Sequence, residues 1–582
     1  MARFLPVLLT KKNFMNIFRF FRRRPLVILG MSGLLGLFAF ATSDPFEMSK
    51  HMDIYGSVYK ELNNQYVDEL KPGQMMKAGI DGMLESLDPY TEYIPEEAIE
   101  DYRMSYVSAE YGGVGAVVFR RGDSIIVSEV YEGFSAAKAG VLPGDVIVDI
   151  NGNKVKGRET EEVSQLMKGE KGTPVKMTVE RYGEKQPLTL ELRREEIKLD
   201  NVSYYGLIND STGYIKLDKF LENSSKEVKD ALITLKQKNI RQLVLDLRGN
   251  GGGILQEAVA IVNLFVPKGK KTVVQRGRRA ESTADHFTRE HPIDVNIPLV
   301  VLVDKNSASA SEIVAGAIQD FDRGVIVGRP SYGKGLVQQT FRLPYNSMVK
   351  ITVARYYTPS GRCVQILDYS HRNSDGSAVR RADSTFAAFK TEHGRTVYDG
   401  SGIHPDVKVN ERKFAGIAQS IGGKLLYFDY ATRYRSTHKS IAAAAQFKLS
   451  ESEYKDFLAF IKDKSYDYTT KAEKDLEKFR ASAEKEGSLS LVKSEYDNLA
   501  AKLKTEKQND LQTYKNDVRE LLENEIVSRY YFQTGRAELA LRYDQDVTKA
   551  AQVLSDRKLY HSILKGEGQY MVIGKKEKSS EG

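Results

Sequence analysis

Apolar positions along the chain change their period from region to region, and each change marks a boundary. Between 48 and 105, Met52, Tyr55, Val58, Leu62 and Tyr66 recur at steps of three and four, the spacing of one helix face. The Leu87-Asp88-Pro89-Tyr90 segment closes that helical stretch. From 106 to 198 the pattern shortens to β-rich runs (GAVVFR, SIIVSEV, DVIVDING, VKMTVER, LTLELRR) separated by glycine turns. From 199 to 412 apolar strands such as RQLVLDLRGN, IPLVVLVDK and GVIVGRP alternate with helical patterns such as GILQEAVAIVNLF and SEIVAGAIQD. That alternation predicts an α/β layer architecture. From 413 to 582 the chain turns helical and rich in Lys and Glu, with one apolar stripe at Leu511, Tyr514, Val518, Leu521 and Leu522 and no heptad run long enough for a coiled coil.

The 582 residues suffice for several domains, and the 41% hydrophobic and 28% charged fractions are those of a soluble globular protein. The first 45 residues depart from this. An uncharged apolar run at 25–41 follows Arg22-Arg23-Arg24, the pattern of a signal peptide or membrane anchor, with Ala39-Phe40-Ala41 as a candidate cleavage site. The basic flank should stay in the cytoplasm, so the remainder is expected in the periplasm of a bacterial envelope, anchored to the inner membrane or released. Residues 1–41 hold seven basic side chains and no acid, so they account for all but one unit of the net charge of +8. Overall charge therefore gives no basis for nucleic-acid binding. Cys363 is the only cysteine, which excludes an internal disulfide and cysteine-based zinc sites. No HExxH motif occurs, and no metal or cofactor is assigned.

In 106–198, two features resemble a PDZ domain in order and spacing. Gly112-Gly113-Val114-Gly115-Ala116 is a glycine loop leading into a strand, and AKAGVLPGD is a short helix followed by a tight turn. Successive N–H groups of such a loop can converge on the C-terminal carboxylate of a peptide, which then adds as a strand to the sheet edge.

The chemistry concentrates at SASASEIVAGAIQD (307–320) and GKGLVQ (333–338). A serine cluster opens an amphipathic helix, a glycine-flanked lysine follows, and no histidine lies between. A lysine serves as base when burial lowers its pKa from about 10.4 toward 7–8. Taken alone, a serine here is also a common helix N-cap, Gln338 an ordinary strand residue and Gly251-Gly252-Gly253 a good turn. A P-loop reading of GRPSYGKG fails on two counts. Gly335 stands where Ser or Thr binds magnesium, and LVQQTFRL is a strand pattern where a helix is needed.

SLDPYTEYI, the PDZ signals, DLRGNGGG, NSASASEIVAGAIQD, GRPSYGKGLVQ, ARYYTPSGR and GIHPD occur in that order between about 48 and 412. Together they resemble the carboxyl-terminal processing peptidase (tail-specific protease) family. The resemblance implies a multidomain α/β protein: a crotonase-like serine-protease core at 199–412, a PDZ domain at 106–198, and helical regions at 46–105 and 413–582. It implies Ser309 as nucleophile, Lys334 as base and Gln338 as its support, with Gly252 and Ala310 as oxyanion donors. In a strand, residues 334, 336 and 338 share one face, so the Gln338 amide is expected to reach the Lys334 amine. It also implies a regulatory basic position at Lys168, where family members often carry arginine. Asp320 matches an acid sometimes implicated in the family and equally suits a structural role. The implied partners are proteins or peptides with free, apolar C-termini, and an adaptor docked on 413–582 is one open role for that region. An inactive PDZ scaffold is the alternative, which the retained Ser309, Lys334 and Gln338 argue against.

Overall fold

The computed structural model describes residues 43–108 and 110–574. The candidate leader at 25–41 lies outside them, and among the described residues no helix is long and apolar enough to cross a membrane. The chain divides into two compact units at Tyr93/Ile94.

The first unit contains helices Ser43–Gln65 and Pro72–Glu85. The three- and four-residue steps of its sequence are helical as expected, and Met52 and Val58 of that stripe are exposed. The break after the second helix has a local cause. The Asp88 carboxylate accepts from the N–H groups of Tyr90 and Thr91, both at 2.9 Å, which fixes a turn in place of a further helical one.

The second unit begins with the PDZ fold. A five-stranded path (116–121, 124–130, 146–150, 174–180, 188–193) is flanked by helix Thr160–Met167. Asn151 and Gly152, both at positive φ, close the tight hairpin between Val146–Ile150 and Asn153–Lys154. Strand residues alternate inward, and Ile125, Val127, Ile147, Ile150, Val175 and Met177 form the core with Val163 and Met167 of the helix.

The next region is built on a mixed sheet. We label its strands β1 (Val202–Asn209), β2 (Thr212–Leu217), β3 (Gln242–Asp246), β4 (Leu299–Val303) and β5 (Val325–Gly328). A last short strand, Val407–Lys408, pairs with β5. From β2 onward all neighbours are parallel, and every residue of β3, β4 and β5 is buried. Their near-continuous apolar sequences follow from burial on both faces. One face, with Leu243, Leu245, Val301 and Ile326, packs on helices Ser224–Gln237, α1 (Leu255–Asn263) and α2 (Ala310–Asp320). A hairpin of β6 (Leu336–Leu343) and β7 (Ser347–Tyr357) belongs to a second, antiparallel sheet.

The C-terminal helices close the other face of the parallel sheet. We label α3 (Leu426–Thr437), α4 (Lys515–Ala540) and α5 (Gln545–Ser555). Val547, Ala550, Val553 and Leu554 of α5 pack on Val244, Val300, Leu302, Val325 and Val327. The helical extension is therefore part of the sandwich around the sheet. It also grips the PDZ fold. Phe428 of α3 meets Phe119 edge-on at 5.5 Å, Asp429 pairs with Arg121 at 2.8 Å, and Arg536 pairs with Glu129 at 2.9 Å. Phe532 leaves helical geometry within α4, at φ 53°, and packs against the PDZ core.

Candidate active site

Three serines open α2, and their surroundings separate them. Ser307 and Ser311 are fully buried, and each spends its hydroxyl on a backbone carbonyl, Leu247 and Asn250 respectively, both at 2.8 Å. These bonds tie the turn before α2 and the first turn of α2 to the loop after β3. Ser309 is the partly exposed serine between them. It adopts φ 56° and ψ −111°, an uncommon conformation for a residue with a Cβ, directly before the helix. The backbone turns there so sharply that Ser309 stands at the N-terminal, positive end of α2.

Glu312 holds this turn and the lysine loop together. It is fully buried, and its Oε2 accepts from the N–H of Ser309 at 2.9 Å and from the N–H of Lys334 at 2.8 Å. Its Oε1 accepts from the Gly333 N–H at 2.7 Å and the Ser331 hydroxyl at 2.5 Å. Burial pushes the carboxyl up to about 7, against the pull of these donors. Tyr356, also buried, adds a second link. Its hydroxyl donates to the Lys334 carbonyl at 2.7 Å and lies 3.2 Å from the Ser309 carbonyl.

The glycines flanking Lys334 have a steric reason. A Cβ at Gly333, which has φ 85°, would sit 2.3 Å from Ile366, and one at Gly335 would sit 2.9 Å from the Gln365 nitrogen. After Gly335 the chain enters β6, a strand, so the helix that a phosphate loop requires is absent here. Lys334 is half-buried.

The sequence places Lys334, Leu336 and Gln338 on one strand face, and the structure corrects this. The strand starts only at Leu336, so Lys334 lies outside it, and the register shifts between Val337 and Gln338, whose partners Ala354 and Thr352 leave Val353 of β7 as the extra residue. Leu336 is buried, while Gln338 is half-buried and donates its amide to Thr352 Oγ1 at 3.0 Å. The neighbouring strand thus orients the Gln338 amide through Thr352.

Gly252 approaches the serine turn closely. A Cβ there would lie 2.8 Å from Ser309 Cβ and 2.9 Å from the Ala310 nitrogen, and its φ is 97°. Its expected role as an oxyanion donor meets a competitor, however: the Gly252 N–H donates to Asn250 Oδ1 at 2.9 Å. Asn250 is fully buried and fixed in turn by its donation to the Leu217 carbonyl at 2.8 Å. The Ala310 N–H opens α2 beside Ser309, at the end where helix N–H groups lack an intrahelical acceptor.

Asp320 lies at the far end of α2. Its carboxylate accepts from Thr358, the Ser360 N–H and Arg362, an enclosed structural network. In the PDZ fold, Gly112 and Gly113 belong to a strand paired with Glu195–Lys198, and Gly112 accepts from the Gly169 N–H. The expected five-residue carboxylate loop is thus shorter, with Val114-Gly115 turning into the strand at Ala116. Lys168 caps the PDZ helix with its amine 6.0 Å from the Tyr111 ring centre. It is Arg194 that grips the last carbonyls of that helix, Leu166 and Met167.

Sequence reasoning overlooked Glu312, Tyr356 and Asn250. Each sits inside a motif already singled out: SASASE, ARYYTP and DLRGN. A glutamate three residues after a serine reads as an ordinary capping box, so only the burial and the bonds to Gly333 and Lys334 expose its second task.

Comparison with known proteins agrees with this architecture. Residues 126–181 match the PDZ domain, residues 211–370 match peptidase family S41, and residues 417–554 match "Probable PDZ-protease, C-terminal helical domain". The chain is 34% identical over 343 residues to a carboxy-terminal-processing protease of Bartonella bacilliformis, covering 58% of this chain and 78% of that one. It is 35% identical over 313 residues to a probable CtpA-like serine protease of Staphylococcus aureus, covering 53% of this chain and 61% of that one. Among solved structures, a photosystem II D1 C-terminal processing protease is 26% identical, with a TM-score of 0.31, over 61% of this chain and 92% of that one.

Proposed function

The chain belongs to the carboxy-terminal processing serine peptidases of family S41, and on that premise we propose that it cuts peptide bonds by a Ser–Lys mechanism through an acyl-enzyme. The neutral amine of Lys334 takes the proton of Ser309 as its Oγ attacks the scissile carbonyl carbon. The resulting oxyanion is held by the Ala310 N–H and by the Gly252 N–H. The tetrahedral species collapses with loss of the amine, which leaves with the proton carried by Lys334. The acyl group remains on Ser309. Water then attacks it with Lys334 again as base, releasing the acid.

The observation that carries this reading is the shared Glu312 oxygen, which ties the backbone of the one accessible serine of the cluster to that of the lysine. The bond from Gly252 to Asn250 supports a resting form in which one oxyanion donor is still occupied. A substrate carbonyl would have to draw it away, so binding and activation are linked.

The PDZ fold supports recognition of a protein's free C-terminus, with the N–H groups at Val114-Gly115-Ala116 meeting the carboxylate and an apolar last side chain filling the groove. Closing peptide over the half-buried Lys334 removes water and favours its neutral form. Lys168 we retain as a regulatory position of the PDZ segment. The basic-then-apolar stretch at 22–41 supports work in the bacterial envelope. The test is to incubate the purified protein with an unfolded protein and map cuts by mass spectrometry. Cleavage by wild type and none by Ser309→Ala is expected, whereas equal cleavage by both would overturn the assignment.

A further inference from the structure

The two loops of the candidate active site each carry an arginine near their start, and both arginines reach the same helix end. Arg248 follows β3 and lies four residues before Gly252. Arg329 follows β5 and lies five residues before Lys334. Asp546, on the first turn of α5, receives Arg248 Nη1 at 2.8 Å and Arg329 Nη2 at 2.7 Å on one oxygen, Oδ2. Its other oxygen receives Arg329 Nη1 at 3.1 Å. Asp544 adds bonds to Arg248 at 3.0 and 2.7 Å.

We propose that Asp546, through Arg248 and Arg329, is a positioning residue that sets the oxyanion loop and the lysine loop relative to each other. The inference rests on the peptidase reading above, and it assigns a task in catalysis to the C-terminal helices.

Three features argue for positioning over mere attachment. First, the charges are paired locally: Asp246, Asp544 and Asp546 face Arg248, Arg329 and Lys216, with the more exposed Asp218 also 3.8 Å from Lys216. Burial pushes the Asp246 carboxyl up, yet Arg248 and Lys216 hold it well below the ordinary range. Second, Asp544 and Asp546 divide the work. Asp544 caps α5, accepting from the Asp546 and Val547 N–H groups, while the bonds of the Asp546 carboxylate go to the two arginines. The side chain of Asp546 is only 5% exposed, so water screens this pairing weakly. Third, the place is right: both arginines stand at the carboxyl ends of parallel strands, where the loops of such sheets gather active sites. The lysine loop is then held at both ends, by Asp546 at Arg329 and by Glu312 at Gly333 and Lys334.

The test compares steady-state kinetics of wild type, Asp546→Asn, Arg329→Gln and their double variant on one unfolded protein substrate, with Ser309→Ala as the zero. Displacing reacting groups by about an ångström costs up to about a hundredfold. The expected result is a fall of about ten- to a hundredfold in kcat for Asp546→Asn with KM within about twofold. The double variant should lose no more than the worse single one, because the two act through one contact. Asp546→Glu restores the charge and should recover kcat partly, which keeps the test informative if the asparagine variant is poorly folded. A kcat within twofold of wild type for Asp546→Asn overturns the proposal, as does additive loss in the double variant or no recovery with glutamate. Activity that survives in Ser309→Ala overturns the peptidase assignment instead, so the two failures are distinct.

Discussion

Ser309 and Lys334 donate their backbone N–H groups to the same carboxylate oxygen, Oε2 of Glu312, at 2.9 and 2.8 Å. Residues twenty-five apart in sequence are thereby held to one buried point. The Tyr356 hydroxyl repeats the link from the carbonyl side. The serine turn and the lysine loop therefore share one buried anchor, and a change at Glu312 is expected to reach both.

Glu312 should give the fold a pH dependence of definite sign. Its carboxyl, ordinarily near 4.5, is raised to about 7 by burial. Between those values the folded protein binds a proton that the unfolded chain has lost. Its contribution to stability is thus fully present below pH 4.5, falls as pH rises and levels off above 7. Glu312→Gln cannot ionise. Urea unfolding at pH 5 and pH 8 should show wild type losing stability relative to the variant on going to pH 8. Parallel behaviour would contradict the raised pKa.

The three serines of the cluster should separate by kind of defect. Ser309→Ala should lower turnover by about a thousandfold or more with the melting temperature nearly unchanged. Ser307→Ala and Ser311→Ala each remove a buried hydroxyl bonded to a carbonyl, and should cost about 1–3 kcal/mol of stability while retaining measurable turnover. Thermal melts beside initial rates check both statements.

How much of this was readable in the sequence depends on how local its cause is. The strands β3 to β5 are continuous apolar runs, so burial on both faces showed directly in composition. The SASAS cluster and the GKG turn were legible as chemistry-bearing segments, and the family resemblance implied Ser309 and Lys334 within them. The shared strand face at 334–338 does not form because the strand begins only at Leu336, and nothing in GKGLVQ signals where the extended pairing starts. The break at Phe532 was invisible for a similar reason: no glycine or proline stands there, and the aromatic side chain is drawn out of α4 by the PDZ core. The contact of Asp546 with Arg248 and Arg329 spans more than two hundred residues. An acid at a helix start reads only as a favourable charge near a helix dipole, so its partners had to come from the fold.

Gly252→Ala should damage the site through space and backbone together. The added Cβ meets Ser309 Cβ at 2.8 Å, and φ 97° is strained for alanine. A stability loss of about 1–3 kcal/mol should accompany a drop in turnover larger than that of Gly251→Ala, whose Cβ would enter open space. Equal turnover in the two variants would remove Gly252 from the site.

Recognition of a free C-terminus predicts a loss on amidation. A peptide whose terminal carboxylate is replaced by an amide gives up a charge-assisted contact to the loop at Val114-Gly115-Ala116. It should bind about tenfold or more weakly. Calorimetric titration of the acid and amide peptides into Ser309→Ala protein reads this without cleavage, and equal affinities would reject carboxylate capture.

The proposed role of Lys334 as the base for Ser309 is tested most directly by the rate at which Lys334→Arg degrades an unfolded protein, set beside wild type and Ser309→Ala. A guanidinium keeps the positive charge but cannot become neutral near neutral pH. Lys334→Arg is expected to fall to the level of Ser309→Ala while still binding C-terminal peptides. Turnover by Lys334→Arg near that of wild type would contradict that role.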